Sequence, residues 1–262
     1  MIDIHHHILP DVDDGPREWD EAVEMCRVSR AEGIETIIAT PHVLRGRWRN
    51  YSPLELQGCL DELRRRAGSD APRLLLGSEY FFSHDVVETL ASGHAIVPLA
   101  GSRYVLIELA ANAVPPMFEQ PLYRMQLDGW TPILAHPERN LVFQHHPQLL
   151  AEFIGHGAKT QVTLSSLTGD FGPEAKRIAV DLLRNRMVHF VATDAHNMGK
   201  RPPRVTAAAA VLRDLAGEVV AEALMSRNPL CVVEKRPLEY DPEPEFEATG
   251  GFLTRLRSFF RG

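Results

Sequence analysis

Short runs rich in Ile, Val and Leu recur along the chain, separated by longer segments of mixed charge with apolar positions at helical spacing. The short runs predict strands at residues 1–5, 35–40, 73–79, 104–109, 131–135, 159–164 and 188–193. The longer segments predict helices at 18–32, 53–67, 84–91, 117–128, 147–156, 173–185 and 203–216. Several of these open on a proline at or near the first turn, where the missing N–H is not needed. A βα unit repeated about seven times implies parallel strands joined by helical crossovers, which suits either a closed barrel or an open doubly wound sheet. No GxGxxG or GxxxxGK[ST] string follows the first strand, which lowers the nucleotide-binding reading.

The pattern runs without a linker to about residue 235, so residues 1–235 read as one domain. EYDPEPEFEATGG follows, acidic and containing Pro and Gly, and predicts a solvated linker over 236–250. In the last stretch, 251–262, Phe252, Leu253, Leu256, Phe259 and Phe260 share one helical face, flanked by Arg255, Arg257 and Arg261. That is the pattern of a basic amphipathic helix, suited to peripheral membrane contact or to packing on its own barrel or a neighbouring subunit.

A length of 262 residues fits one α/β barrel. Its 44% hydrophobic and 24% charged residues are those of a soluble globular protein. A net charge of −7 gives no support for a nucleic-acid-binding surface. Cys26, Cys59 and Cys231 are odd in number and far apart, so neither a disulfide framework nor a CxxC pair is present, and a reducing compartment is expected. The N-terminal MIDIHHH lacks a basic region followed by an apolar run, and no stretch approaches the ~20 apolar residues of a spanning helix. The expected location is cytoplasmic.

The strand ends change this picture. The first runs into His5, His6 and His7, and the second into Thr40-Pro41-His42. The third ends at Glu79, the fourth carries Glu108, the fifth ends at His136, and the seventh leads into Asp194 and His196. Functional residues of α/β barrels gather at the carboxyl ends of strands, and imidazoles with carboxylates are ligands that suit Mn, Fe and Zn. Residues i and i+2 of an extended strand face the same way, so His5 and His7 can share an ion, as can Asp194 and His196. The set exceeds the needs of one metal and points to two or three ions, of the kind that activates water and clamps phosphate in hydrolysis. Asp11, Asp13 and Asp14, before Gly15, also read simply as turn residues.

The strings MIDIHHHILPDVDDGP, EGIETIIATPH, GSEYFF, GSRYVLIELA, ILAHPERN, QVTLSSLTGDFG and TDAHNMGKRPP cover residues 1 to about 235. Together they resemble the polymerase-and-histidinol-phosphatase (PHP) superfamily. They are most similar to its bacterial branch of manganese-dependent protein-tyrosine phosphatases, the CpsB/YwqE type linked to capsule and exopolysaccharide synthesis. The resemblance implies an α/β fold, a distorted (β/α)7 TIM-like barrel in a single domain, holding three manganese ions, with Fe, Co and Zn as alternatives. One ion would take His5, His7, Glu79 and Asp194. A second would take His42, His196 and an aspartate of the DVDDG loop, where counting from His7 favours Asp13 and leaves Asp14 open. A third would share Glu79 and add Glu108 and His136. The chain departs from the family pattern at His6, Thr163 and Thr193, none of which removes a ligand.

Arg139, directly after a ligand, and Arg201, shortly after His196, would fork onto phosphate oxygens as catalytic residues. His42 is a candidate general acid beside metal-bound water. The cysteines lack the C-x5-R loop of thiol phosphatases. The partner implied by the resemblance is the phosphorylated, Tyr-rich tail of a bacterial tyrosine autokinase, met at the inner face of the membrane, and family members can form homo-oligomeric rings. Rival readings are another PHP phosphoesterase, a histidinol-phosphate phosphatase or nuclease, and a metal-binding regulatory module without turnover.

Overall fold

The computed structural model describes residues 1–43, 45–46, 48, 52–92 and 97–245. Its strands are β1 (Ile2–His6), β2 (Thr36–Ala39), β3 (His42–Val43), β4 (Arg73–Leu76), β5 (Glu79–Phe81), β6 (Tyr104–Glu108), β7 (Thr131–Ala135), β8 (Lys159–Thr163) and β9 (Phe190–Ala192). All pair in parallel, in two sheets of order β1-β2-β4 and β3-β5-β6-β7-β8-β9. The second predicted strand forms β2 and is followed by an unforeseen short strand, β3, while the third is broken into β4 and β5. Thr40-Pro41 separates β2 from β3, because a proline cannot donate to a ladder, and Gly77-Ser78 separates β4 from β5 at the same level. Hydrogen bonds cross the break from Gly77 N to Ala39 O (2.8 Å) and from Glu79 N to Pro41 O (3.1 Å). Beyond β9, Asp194 N donates to His5 O and His7 N to Ala195 O, both at 2.9 Å, so the end of β1 has neighbours on both sides.

Buried on both faces, these strands read as continuous apolar runs. One face packs Ile4, Ile38, Leu106, Ile133, Phe190 and Ala192 together over Tyr104 and Val232. The alternate positions, Ile37, Val105, Ile107, Val162 and Val191, join the helices in a larger core. The register between β1 and β2 slips, so Asp3 to His6 advance three residues against two, Ile37 to Ala39. A bulge of this kind re-aims side chains. It lets Ile4 enter the inner core while His5 and His7 turn to the site.

Seven helices match the predicted set within a few residues: α1 (Trp19–Ala31), α2 (Pro53–Ala67), α3 (His84–Ser92), α4 (Glu119–Leu127), α6 (Pro147–Gly155), α8 (Pro173–Arg184) and α9 (Thr206–Ala216). In α8 the buried Ala175, Ile178, Ala179 and Leu182 form an i, i+3, i+4, i+7 stripe. α2 begins with Pro53 and a Ser52–Glu55 capping box, which stabilises such a start by about 1 kcal/mol. The structure adds two single-turn helices, α5 (Leu141–His145) and α7 (Leu164–Thr168). It also adds a helical run of α10 (Glu218–Glu222), a π-turn over Ala223–Arg227 and α11 (Asn228–Val233).

The first ten residues of the expected linker, 236–245, hold neither helix nor strand but are tied to the domain. Asn228 Nδ2 donates to Tyr240 O (2.6 Å), Lys159 Nζ to Asp241 (2.5 and 2.6 Å) and Glu245 N to Asn185 O (2.9 Å). The rest of that stretch and the expected amphipathic helix lie outside the described residues. Among the described residues no helix is long and apolar enough to cross a membrane.

Candidate metal centre

Apart from His6, the imidazoles and carboxylates expected at the strand ends arrive at one place. β1 and the residue after it deliver His5 and His7, β3 His42, β5 Glu79, β6 Glu108, and the residues after β7 and β9 deliver His136, Asp194 and His196. His136 (φ 35°) and Asp194 (φ 52°) sit in the left-handed region, which for non-glycine residues is a strained conformation held by its surroundings. The DVDDG turn folds back against β1 because Gly15 has no side chain; a Cβ there would stand 2.6 Å from His7 O.

The ring nitrogens show what the site demands. His5 Nδ1 donates to Gln161 Oε1 (2.7 Å) and His7 Nδ1 to Asp13 Oδ2 (2.6 Å), which turns each Nε2 inward as the nitrogen that can ligate an ion once it carries no proton. Those two nitrogens face each other at 3.1 Å. His5 Nε2 also lies 3.3 Å from Glu79 Oε1 and from Asp194 Oδ1, and His7 Nε2 lies 3.5 Å from Glu79 Oε2 and Asp194 Oδ1. Atoms held about 2.1 Å from one ion stand roughly 3.0–3.5 Å from one another, so the spacing is that of a coordination shell. Among the described residues, four groups bring their donor atoms within 4.8 Å of one another: His7, Asp14, His42 and His196; His5, Glu79 and His136; His5, His7 and Asp194; His42, Glu79 and Glu108. His5, His7, His42 and Glu79 each serve two of them.

The aspartate that joins them is Asp14. Its Oδ1 lies 3.4 Å from His42 Nε2 and 3.3 Å from His196 Nε2. Asp13, favoured by counting, has both oxygens engaged elsewhere: Oδ2 accepts from His7 Nδ1 and His42 N (2.9 Å), and Oδ1 accepts from Gly15 N (2.8 Å). It orients a ligand and locks the turn, while its neighbour faces the ligand cluster. His42 has both ring nitrogens turned to charged groups, Nδ1 to Glu79 Oε2 (2.8 Å) and Nε2 to Asp14 and to Arg45 Nη1 (2.8 Å). His6 is buried with neither ring nitrogen hydrogen-bonded and belongs to none of the four groups.

Burial and the charge of Glu79 push the Glu108 carboxyl up to about 8. Burial disfavours charge on His7, but Asp13 and Glu79 outweigh it and push the imidazole up to about 10. Burial, with the Arg139 charge, brings His136 down to about 3. At neutral pH the metal-free site therefore keeps protons on Glu108 and His7, and ligation must displace them. Loading at pH 7 is expected to release about two protons per protein. Both groups shed those protons more easily as pH rises, so apparent affinity climbs from pH 6 to 8. Calorimetry of manganese binding in buffers of different ionisation enthalpy measures this; heats independent of buffer would contradict it.

Arg139 and Arg201 both donate to Asp194 Oδ2, and Arg201 Nη1 donates to His196 Nε2 (3.0 Å). The loop bearing Arg201 is held by Asn197, whose Oδ1 accepts from the N–H groups of Gly199, Lys200 and Arg201. Sequence reasoning passed over several supporting residues. Gln161 orients His5. Asp3, its carboxyl raised to about 6 by burial, accepts from His5 N, Thr193 N and Thr193 Oγ1, tying β1 to the segment carrying Asp194. Arg45 pairs with Glu108 (2.8 Å), and Glu138 accepts from Thr163 N (3.1 Å) and Ser166 Oγ (2.8 Å). One signal existed for Asp3 and Gln161: a polar residue inside a buried strand requires a partner.

The centre opens into a cleft of about 220 Å³, lined also by Leu109, Ala111, Pro137 and Phe143. Parallel strands that converge imidazoles and carboxylates on a cleft with two arginines define an α/β protein with a metal-binding hydrolase type of site. The family model for capsular polysaccharide synthesis, CpsB/CapC, matches residues 1–234, and the chain belongs to that family. It is 36% identical to tyrosine-protein phosphatase YwqE of Bacillus subtilis, over 93% of this chain and 96% of that protein. It is 30% identical to tyrosine-protein phosphatase CpsB of Streptococcus pneumoniae, over 89% and 98% respectively. A crystal structure from work on YwqE and CpsB, described there as metal-dependent tyrosine phosphatases, matches with a TM-score of 0.88 at 35% identity, over 94% of this chain and 100% of that one.

Proposed function

We propose that this chain is a metal-dependent protein-tyrosine phosphatase that acts on a bacterial tyrosine autokinase and so regulates capsular or exopolysaccharide synthesis. The observation that carries the reading is the pair of facing Nε2 atoms of His5 and His7, 3.1 Å apart inside a shell of carboxylates. Such a donor set fits divalent cations. The reading includes a closed (β/α)7 barrel, supported by the ladder contacts on both sides of β1. It includes three manganese ions, supported by four ligand groups that share members.

His5, His7, Asp14, His42, Glu79, Glu108, His136, Asp194 and His196 would hold the ions. When bound, these supply an activated water and charge stabilisation for the phosphoryl oxygens. His42, with both ring nitrogens facing ligand groups, is assigned to ligation rather than to proton donation. A phenolate leaves without a strong general acid. Arg139 and Arg201 contribute forked N–H donors to the phosphoryl oxygens, and Leu109, Pro137 and Phe143 give the phenyl ring an apolar wall. The thiols take no part: none lines the cleft, and burial pushes Cys26 up to about 12 and Cys59 to about 11. The substrate would be a Tyr-rich kinase tail reached from the cytoplasmic side, with peripheral membrane contact through residues 251–262 and self-assembly as further parts of the reading.

The test is hydrolysis of a phosphotyrosine peptide by manganese-loaded protein, with and without chelator, beside histidinol phosphate. Turnover of the peptide that chelator abolishes is expected. Protein with its ions shown to be bound, yet inert towards the peptide, overturns the proposal, and turnover of histidinol phosphate alone replaces it.

A further inference from the structure

Two like charges meet at the mouth of the cleft. Arg139 comes from the turn after β7 and Arg201 from the loop after β9, and both guanidinium groups close on the same oxygen, Asp194 Oδ2. Glu138 adds a second carboxylate near Arg139 alone, its Oε1 3.9 Å from Arg139 Nε. A further attraction, common to both arginines, is aromatic. Arg139 Cζ lies 4.5 Å from the centre of the Phe171 ring, and Arg201 Cζ lies 5.6 Å from it. The face of an aromatic ring carries a partial negative charge that draws a cation held within about 6 Å.

Phe171 is firmly placed for this. It sits in the short turn between α7 and α8, where Gly169 (φ 97°) and Gly172 (φ 92°) take conformations that favour glycine. Asp170 N donates to Ser165 O (3.1 Å) and Gly172 N to Gly169 O (2.9 Å), and Pro173 then starts α8. The side chain belongs to none of the ligand groups and does not line the cleft. Its ring meets both of the site's arginines.

We propose that Phe171 is a positioning residue: a ring platform that holds the Arg139 and Arg201 guanidinium groups side by side, so that both are presented to one phosphoryl group. The inference rests on the phosphatase reading for its role in turnover, but the platform itself can be tested without turnover. Three measurements apply to the full chain carrying Phe171→Leu or Phe171→Tyr. The leucine keeps apolar bulk and loses the ring; the tyrosine keeps the ring.

In manganese-loaded protein, Phe171→Leu is expected to lower kcat/KM on phosphotyrosine peptide about tenfold and to weaken binding of inorganic phosphate by a similar factor, with metal content and Tm unchanged. Phe171→Tyr is expected to recover most of both. In the metal-free protein, the Arg139 and Arg201 Nε–H protons are expected to show upfield ring-current shifts that Phe171→Leu abolishes and Phe171→Tyr retains. Phosphate binding and proton shifts unchanged in Phe171→Leu overturn the proposal. So does a Phe171→Tyr protein as impaired as Phe171→Leu, with Tm lowered in both, because packing alone then explains the residue. If the native protein turns over no peptide, the phosphatase reading fails, while phosphate binding and the proton shifts still decide the platform.

Discussion

Glu79→Gln is expected to reduce kcat/KM at least about a thousandfold and to strip part of the bound metal. The carboxylate is fully buried and reaches four imidazoles. Oε1 lies 3.0 Å from His136 Nε2 and 3.3 Å from His5 Nε2, and Oε2 lies 2.8 Å from His42 Nδ1 and 3.5 Å from His7 Nε2. Burial alone would raise its pKa, but the charges on His5 and His42 and the hydrogen bonds of His136 and His42 hold it well below the usual carboxylate range. A glutamine fills the same space with a neutral amide, whose NH2 would point donors where cations belong. Two of the four ligand groups lose their shared anion at once. Removing one well-placed polar group from an active site costs about 10²–10³ in rate, and a carboxylate serving two groups exceeds that. Elemental analysis, kinetics and circular dichroism on the folded variant check it. A Glu79→Gln protein with native metal content and native rate would falsify the shared role of this carboxylate.

The convergence of the candidate ligands is legible in the sequence because α/β topology turns a linear pattern into a spatial one. Each apolar run ends where its side chains leave the core, so His5, His42, Glu79, Glu108, His136 and Asp194 could be placed at one end of the sheet from order alone. What stayed hidden depends on the direction of individual side chains. Asp13 and Asp14 are adjacent in one turn, and only the folded turn shows that the oxygens of Asp13 are taken by His7, His42 and Gly15. Alternation alone pairs His5 with His7, but the bulge that admits Ile4 to the inner core as well leaves no mark in composition. The helices at 141–145 and 164–168 span single turns, too short for a 3.6-residue period to repeat. The run at 218–233 holds Pro229, which suggests a break; here the proline begins α11 just past a π-turn. Phe171 gives no sequence signal, because its partners Arg139 and Arg201 come from two other turns.

Those two arginines carry the second large effect. Arg139→Ala and Arg201→Ala are each expected to lower kcat on phosphotyrosine peptide about a hundredfold or more while leaving the metal content intact. Neither side chain belongs to a ligand group, whereas each offers a fork of N–H donors to a dianion that carries more charge in the transition state than when bound as substrate. The fall should thus sit in kcat more than in KM, and affinity for vanadate should drop with it. The two losses should not multiply. Both guanidinium groups share Asp194 Oδ2 and the Phe171 ring, so removing one hands its partners to the other. The double variant is expected to fall well short of the product of the single effects. Lysine at either position restores charge without the fork and should recover only a small part of the rate. Fully multiplicative losses, or a lysine that restores native kcat, would show that the arginines act separately and through charge alone.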